Sequence, residues 1–518
     1  MNPPYSKHIF LFPFKWTLKQ NESIPDLQKF DTYLDLSLWE QHLFDFSAEY
    51  KPLHPYNNYF YFYPAVREIL NLDSRAQNQK YQRQYKVRCG ANKILGDYSI
   101  KIKGIKTELN LELNLKIEDI LLNIFDYGVG VFSIHLTNVL ESDLNKILKI
   151  NEYGRRVCPQ YLGNKGEYTN ATKFNFLADN ITIHLSSQNL KYSENFEHYN
   201  LEENLNRSPF IVPKFIQGVL GDHFGPISTK PDTTVQLVPL LDDRMFVLSS
   251  LYNENIINDL KGYDNNLKKY NYESSALWYR YLFIDDSQPS CRNQSLLPEY
   301  IKKHTYARWI EDNQIFGVSR YSFVFISSDE EFKRNVIGQH MSHMYFEMSM
   351  HCLIQRAFTI HFGTEIANIS KRLEHGHAPL KKIRKDISNL YLEYIRFKNR
   401  IYFREVSAQD QGIELYSLLQ EHMCIERDVK NLGEEIQELN TYLDTYEQSN
   451  LSKVATMFLP ITLLAGVLGI NTLPGLFSSK FTLENINLEE TILNSLSFIL
   501  LFWAIILIFI QLKKSIRI

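Results

Sequence analysis

Two segments of the chain combine arginines with aromatic residues. The stretch NEYGRRVCPQY contains Arg155 and Arg156, and the stretch RWIEDNQIFGVSRYSFVF contains Arg320 and Tyr321. Guanidinium groups bind phosphate through paired hydrogen bonds, and aromatic rings stack on bases. The alternative is that these arginines pair with local acids and aromatics in the core. We take the four residues as candidates for binding an anionic ligand that carries an aromatic base.

A second group consists of imidazoles and a carboxylate at helical spacing. His340, His343, Glu347 and His351 are separated by steps of three, four and four residues, which places them on one face of a helix. Histidine and glutamate are side chains that zinc uses as ligands. The same face also carries methionine and isoleucine side chains, which favours packing between subunits instead. Both interpretations stay open, and the four residues are candidates for a metal site.

Composition and missing motifs limit the function. The 518 residues include 56 Lys and Arg against 59 Asp and Glu, a net charge of −3, so we expect no direct nucleic-acid binding. The five cysteines lie far apart without a CxxC pair, which disfavours structural zinc and a disulfide framework. No P-loop, GxGxxG, HExxH or GxSxG motif occurs, so we predict no enzyme activity and no catalytic residues.

Residues 1–326 mix period-two and helical patterns, which is typical of an α+β domain. The stretch YSIKIKGIKTELNLELNLKIEDILLNIFDYGVGVFSIHL alternates apolar and polar residues and predicts at least three strands. The N-terminal MNPPYSKHIFLFPFKW has no cleavage site after its short apolar run, which predicts an opening strand in a domain that stays in the cytoplasm. We expect this region to be a ligand sensor.

Residues 327–450 are expected to form long cytosolic helices and a stalk. Helical patterns run over about 331–369 and 380–402, and Gly376 and Pro379 mark a turn between them. A heptad seam of apolar residues follows, and a single helix is predicted from about Asp410 to the end of the apolar run.

The predicted stalk is strongly acidic. Ten acids in residues 410–447 face only Arg427 and Lys430, which leaves eight uncompensated. Such helices, packed together in an oligomer, would repel one another without bound cations. Glu434 and Glu438 are our candidates for binding a regulatory divalent cation, and a solvated helix face is the alternative.

Residues 451–518 contain two uncharged apolar runs. Val454–Ile470 has about 17 residues and Ile492–Leu512 about 21, which is the length range of membrane-spanning helices. Basic residues flank the pair and the loop between the runs is acidic, so the positive-inside rule predicts both termini in the cytoplasm and a location in the inner membrane. Because two spans cannot enclose a pore, a channel would require several copies of the chain.

The first apolar run contains FLPITLLAGVLGIN, which closely resembles the first transmembrane helix of the CorA family of divalent-cation channels. The sequence Gly469-Ile470-Asn471 stands where that family has Gly-Met-Asn, and Pro460 and Thr462 match the family pattern. The Gly-Ile-Asn variant, followed closely by Pro-Gly, is similar to the ZntB branch, which handles zinc.

The resemblance implies a homopentamer that conducts a divalent cation, magnesium or zinc, which could also act as a regulatory ion. Asn471 would contribute a ring of amide oxygens at the outer mouth, or simply cap the helix. Thr462 would form a second polar ring, and Leu459 and Val467 would form apolar constrictions. The implied fold class is an α+β cytosolic N-terminal domain, a long helical stalk and two C-terminal transmembrane helices in a funnel-shaped homopentamer.

Four further stretches, KHIFLFPFKW, INEYGRR, FGVSRYSFVF and QRAFTIHF, resemble the CRISPR-associated CorA group, membrane effectors of type III systems. This resemblance implies an antiviral channel gated by a nucleotide second messenger, in that group an adenylated S-adenosylmethionine (SAM-AMP). The expected partners are further copies of the chain, the lipid bilayer and the messenger. The alternatives are a housekeeping magnesium or zinc transporter, a ligand-triggered effector that disrupts the membrane without selective conduction, and a membrane-tethered enzyme.

Overall fold

A large mixed β-sheet dominates the part of the chain that the structure describes. The computed structural model describes residues 3–18, 27–42, 60–70, 82–89, 94–103, 110–158, 177–196, 212–225, 235–242, 244–374, 379–469 and 503. Within these ranges, fourteen strands form one sheet and two short strands form a separate hairpin.

The strands of the large sheet and the hairpin are named in chain order. They are β1 Ser6–Leu18, β2 Trp39–Gln41, β3 Gln82–Val87, β4 Gly96–Ile102, β5 Leu111–Phe125, β6 Val129–Asn138, β7 Asn180–Leu185, β8 Leu190–Asn195, β9 Phe224–Gly225, β10 Val235–Pro239, β11 Phe246–Tyr252, β12 Tyr263–Asp264, β13 Lys269–Tyr270, β14 Thr305–Tyr306, β15 Gln314–Val318 and β16 Ser322–Ser327. The main strand order is β14-β15-β16-β11-β1-β6-β5-β4-β7-β8, with β10 and β9 beside β1, and with β3 and β2 beside β5.

The central strand β1 brings distant segments together. It pairs antiparallel with β6, where Phe10 lies opposite Ile134, and with β11, where Phe10 lies opposite Val247. The strands β11 and β16 run parallel, with Val247 opposite Ser322. The sheet is therefore mixed, because this parallel pair sits among antiparallel ladders.

Helices of very different length accompany the sheet. They are α1 Pro64–Ile69, α2 Leu144–Arg155, α3 Lys214–Leu220, α4 Glu254–Leu260, α5 Ala276–Phe283, α6 Leu296–His304, α7 Gly338–Ser342, α8 Met344–Glu374, α9 Leu380–Arg400, α10 Asp410–His422 and α11 Ile425–Gly469.

Both faces of the central strands are covered. Every residue of β6 and of β11 is buried. On one face, Gly154 of α2 lies so close to β1 that a Cβ atom there would come within 2.8 Å of the Phe10 ring. On the other face, Phe358 of α8 packs on Phe125 of β5, with ring centroids 6.2 Å apart. Strands covered on both sides carry near-continuous apolar sequences, as VGVFSIHLTN in β6 does.

Two compact units make up the chain. The first contains Met1–Ala378 and Ser388–Gly433, and the second contains Pro379–Ile387 and Glu434–Ile518. The first unit holds the whole sheet and its core. Inside the second unit, Arg384 forms ion pairs with Asp444, at 3.0 Å, and with Glu447.

The predicted membrane-spanning fold class is wrong. Among the described residues, no helix is both long enough and apolar enough to cross a lipid bilayer. Within the described residues, the apolar part of α11 starts near Val454, after an acidic segment, and extends to Gly469. This finding corrects the expected stalk with two spans in a funnel-shaped pentamer, the ion-channel assignment and the inner-membrane location. The second apolar run, apart from Trp503, lies outside the described residues.

The single helix predicted from Asp410 onwards is also interrupted. The helix α10 ends at His422, and α11 begins at Ile425. Between them, Cys424 adopts a left-handed backbone with φ of 59°. A residue with this backbone conformation cannot continue a right-handed helix, so the helix is interrupted at Cys424. No proline or glycine at this position predicts the interruption.

Candidate anion-binding site

The helix α2 holds the first pair of candidate arginines at its C-terminal end. Asp143 caps its start, accepting a hydrogen bond from the backbone N–H of Asn145 at 3.0 Å. The last helical residue is Arg155, whose carbonyl accepts a hydrogen bond of 2.7 Å from the N–H of Met245. The following residue, Arg156, forms an isolated β-bridge with Arg244. The end of α2 is thereby fixed beside the start of β11.

Glu152 neutralises part of the charge of this pair. Its carboxylate accepts from Nη2 of Arg155 at 2.8 Å and from Nη2 of Arg156 at 2.7 Å. All three side chains are buried. Burial alone would raise the pKa of Glu152, but the charges and hydrogen bonds of the two arginines outweigh burial and hold that pKa below its usual value.

Arg155 is only partly satisfied. Its Nη2 also donates to the carbonyl of Ile284 at 3.2 Å, but Nε and Nη1 have no hydrogen-bond partner among the described residues. Only 3% of the side chain is exposed, and this burial lowers the pKa of Arg155. A buried guanidinium with two unpaired donor nitrogens is costly and is therefore suited to an anion with several acceptor oxygens.

The second pair of candidates occupies a two-residue turn. Ser319 and Ser322 close the β15–β16 hairpin through a 2.8 Å hydrogen bond from N–H to carbonyl, which leaves Arg320 and Tyr321 at its tip. The Tyr321 carbonyl accepts from the N–H of Val247 at 3.0 Å, which anchors the tip to the start of β11. The Arg320 side chain is exposed, and Tyr321 is half-buried.

Two further arginines join the two pairs. The guanidinium of Arg244 lies 4.5 Å from the ring centre of Tyr321, and that of Arg356, in α8, lies 5.7 Å from it. Nη1 of Arg356 donates to the carbonyl of Arg320 at 3.2 Å, while its Nε has no partner among the described residues. Burial, followed by the charge of Arg320, lowers the pKa of Arg356. Arg244 in turn pairs with Asp242 at 2.7 Å.

The structure thus brings all four sequence candidates into one cluster, which we call the arginine–tyrosine site. Its members are Arg155, Arg156, Arg244, Arg320, Tyr321 and Arg356. Two carboxylates, Glu152 and Asp242, form ion pairs with three of these five arginines. Cations at this density attract a multiply charged anion.

Sequence reasoning missed Arg244 and Arg356. Both are single arginines, Arg244 in DDRMFVL and Arg356 in the stretch QRAFTIHF, without a second arginine beside them. A signal was nevertheless present, because arginine is rarely buried unless it has a partner.

A hydrogen-bonded chain beneath α2 was also missed. Nδ1 of His8 lies 2.6 Å from Oδ1 of Asn151, and Nδ2 of Asn151 donates to Oγ of Ser249 at 3.2 Å. The hydroxyl of Ser6 lies 2.9 Å from Nε2 of His8, and Tyr281 donates to Ser249 at 2.9 Å. These contacts fix α2 on the sheet one residue before Glu152.

The four candidate metal ligands do not form a metal site in the described part of the chain. There, no group of three or more His, Cys, Asp and Glu side chains is arranged to hold a metal ion. The helix is interrupted at His343, between α7 and α8, which breaks the regular face that the spacing predicted. His340 packs its ring near Tyr345, and Nδ1 of His351 lies 2.8 Å from the hydroxyl of Tyr416.

Glu347 carries the one carboxyl among these four candidates. It is buried, and burial raises its pKa to about 8, so its carboxyl is neutral near pH 7. The acidic candidates Glu434 and Glu438 are exposed on α11. A bound divalent cation as cofactor stays a prediction.

The expected pore residues lie in the last described turns of α11 or outside the described residues. Oγ1 of Thr462 donates to the carbonyl of Leu459 at 2.9 Å, within its own helix turn. Both side chains are exposed. Gly469 ends α11, and the side chain of Val467 and the residues Ile470 and Asn471 lie outside the described residues.

No protein-family model, no curated protein and no solved structure matches the chain. The likeness to the CorA family therefore stays a prediction from the quoted motifs. The function has to be argued from the site itself.

Proposed function

We propose that the protein is a ligand sensor that binds an anionic, phosphate-bearing nucleotide at the arginine–tyrosine site. The observation that carries the proposal is the position of Arg244, 4.5 Å from the ring of Tyr321 and bridged to Arg156, which unites a cationic cluster with an aromatic ring. Phosphate oxygens fit guanidinium forks, and a base fits a tyrosine face.

The charge of the site favours a ligand with more than one negative charge. Glu152 already compensates part of Arg155 and Arg156, yet two nitrogens of Arg155 lack an acceptor among the described residues. A phosphate group supplies the strong acceptor oxygens that these nitrogens lack. The half-buried Tyr321 provides a face for an adenine or similar base.

Binding, and not turnover, is the proposed activity. Arginine stays protonated in proteins and cannot act as a general base. Glu152 is held ionised by two ion pairs, so it serves the charge balance of the site. SAM-AMP, the messenger that the sequence resemblance implies, has both a phosphate and adenine groups and is therefore the first probe to test.

Calorimetry tests the proposal directly. We expect SAM-AMP or ATP to bind with a Kd in the micromolar range or below, about −8 kcal/mol, and uncharged adenosine to bind far more weakly. Replacing Arg155 with Ala should cost about 1.5–3 kcal/mol of binding free energy per lost charged hydrogen bond. Arg292→Ala, which removes an exposed arginine of the same unit, is the matched control.

Two results would contradict the proposal. One is that neither nucleotide binds to the intact protein at millimolar concentration. The other is that Arg155→Ala and Arg292→Ala weaken binding equally, since the effect would then reflect overall charge and not the site.

A further inference from the structure

Two neighbouring residues of α8 have different partners. One contacts the arginine–tyrosine site, and the other contacts the helix α10. Arg356 reaches the site, with Nη1 3.2 Å from the carbonyl of Arg320. The preceding residue, Gln355, donates from Nε2 to the hydroxyl of Tyr416 at 3.1 Å and accepts on Oε1 from Gln420 at 3.2 Å. Tyr416 and Gln420 both belong to α10.

These hydrogen bonds are cross-linked, and those that join Tyr416 to Gln355 and to His351 are buried. Gln355 and Tyr416 have no exposed surface, and His351, one turn earlier in α8, lies 2.8 Å from the same Tyr416 hydroxyl. Gln420 also donates to the carbonyl of Phe403 at 2.8 Å. Hydrogen bonds in a water-excluded network hold their geometry more strongly than exposed ones, so a displacement of α8 is passed on to α10.

The helix α8 also packs on the sheet. Phe358 contacts Phe125, and Phe346 lies against His135 with ring centroids 4.6 Å apart. Asn123 and Ser133, which share this face of the sheet by strand alternation, are fully buried and have no side-chain hydrogen-bond partner among the described residues.

Such unpaired groups cost free energy in the present arrangement. A buried polar group without a partner has lost its hydrogen bonds to water and has gained none in return. On the α8 side, Glu347 Oε2 and Ser349 Oγ likewise lack partners in the described part of the chain. A shift of α8 that pairs any of these groups would recover part of this cost.

We propose that α8 transmits occupancy of the arginine–tyrosine site to α10. An anion that draws in Arg356 shifts α8 on the sheet, and the Gln355–Tyr416–Gln420 hydrogen bonds move α10 with it. This inference rests on the proposed nucleotide binding and adds its regulatory output. The required coupling is the difference in nucleotide affinity between the two positions of α8.

Amide hydrogen exchange of α10 measures the transmission, and calorimetry on the same samples measures binding. With SAM-AMP, and separately with ATP, we expect the exchange rates of α10 amides to change at least threefold in the original protein. In Tyr416→Phe, which removes only the shared hydroxyl, binding should stay within threefold while the response of α10 falls by at least half. Gln355→Leu, which removes both side-chain hydrogen bonds from Gln355 to α10, should reduce the response of α10 further.

Tyr394→Phe is the matched control, because it removes a buried hydroxyl that donates to the carbonyl of Val429 at 3.1 Å, outside the α8–α10 contact. It should leave the response intact. If neither nucleotide binds, the proposed function fails. If a nucleotide binds but α10 does not respond, or responds equally in Tyr416→Phe, the transmission is refuted while the binding site stands.

Discussion

Oε2 of Glu152 lies 2.8 Å from Nη2 of Arg155, within a single helical turn and out of contact with water. The Glu152 carboxylate therefore partly neutralises the arginines that we assign to ligand binding, as a bound anion would. A buried ion pair of this kind contributes little net stability, but removing one partner leaves an uncompensated buried charge. On our proposal, the free protein depends on Glu152 more than a nucleotide-bound protein would.

We expect Glu152→Gln to lower the free energy of unfolding and to make the protein respond more strongly to anions. The amide keeps the shape but removes the negative charge that pairs with Arg155 and Arg156, which should cost about 3 kcal/mol. Phosphate should then raise the melting temperature of the variant more than that of the original protein, because binding to the folded state stabilises it. Thermal melts in phosphate and in chloride at equal ionic strength measure this.

Glu141→Gln is the control, since Glu141 pairs with Lys146 next to the same helix but outside the site. An equal phosphate response in both variants would show that Glu152 does not occupy an anion site.

The pH dependence of stability should reveal Glu347. Its pKa is raised by burial to about 8 in the folded protein, from 4.5 when the side chain is free. Between these values the folded state binds more protons than the unfolded state, so this group makes stability fall as pH rises from about 4.5 to 8. Glu347→Gln removes that contribution and should raise the free energy of unfolding at pH 8 relative to pH 5 by a few kcal/mol.

Urea denaturation at several pH values checks the prediction. Glu299→Gln, on the exposed face of α6, controls for the loss of one carboxylate. A parallel pH profile for the original protein and Glu347→Gln would rule out a buried neutral carboxyl at this position.

The local pattern of apolar and polar residues was sufficient to predict many of the strands and helices. The apolar run HIFLFPFKW predicts the strand found as β1, and the alternating stretch that follows predicts β4, β5 and β6. The helical pattern over about 380–402 is found as α9, Leu380–Arg400. These elements have a strong period and bury one face or both, so local pattern and tertiary packing agree.

The missed features depend on contacts between distant segments. Arg244 joins the site because Arg156 bridges to it and because β11 runs parallel to β16, and neither pairing has a local signal. The helix breaks at His343 and Cys424 arise without proline or glycine, so tertiary contacts override helix propensity there. The arginines could be proposed from residue type, but their convergence required the topology.

The His8–Asn151 contact should be necessary for stability and for the position of the site. We expect Asn151→Ala to reduce the free energy of unfolding by about 2–4 kcal/mol, because His8 and Ser249 both lose a partner in a fully buried place. Denaturant unfolding measures the loss. Asn145→Ala, an exposed substitution in the same helix, should change stability by less than about 0.5 kcal/mol. Equal effects of the two substitutions would show that the hydrogen bonds between His8, Asn151 and Ser249 do not stabilise the fold.

The last prediction concerns the joint between α10 and α11. Cys424 holds φ at 59°, a region in which a Cβ atom costs about 1–2 kcal/mol and glycine has no such cost. Glycine also loses more backbone entropy on folding, by about 0.5–1 kcal/mol, so Cys424→Gly should raise the free energy of unfolding by about 0.5–1 kcal/mol. Urea denaturation of Cys424→Gly and Cys424→Ala separates the backbone effect from the loss of the thiol, because Ala removes the sulfur but keeps the strained Cβ. If both variants are equally destabilised, the thiol contacts decide the stability of the joint, and the left-handed backbone carries no recoverable strain.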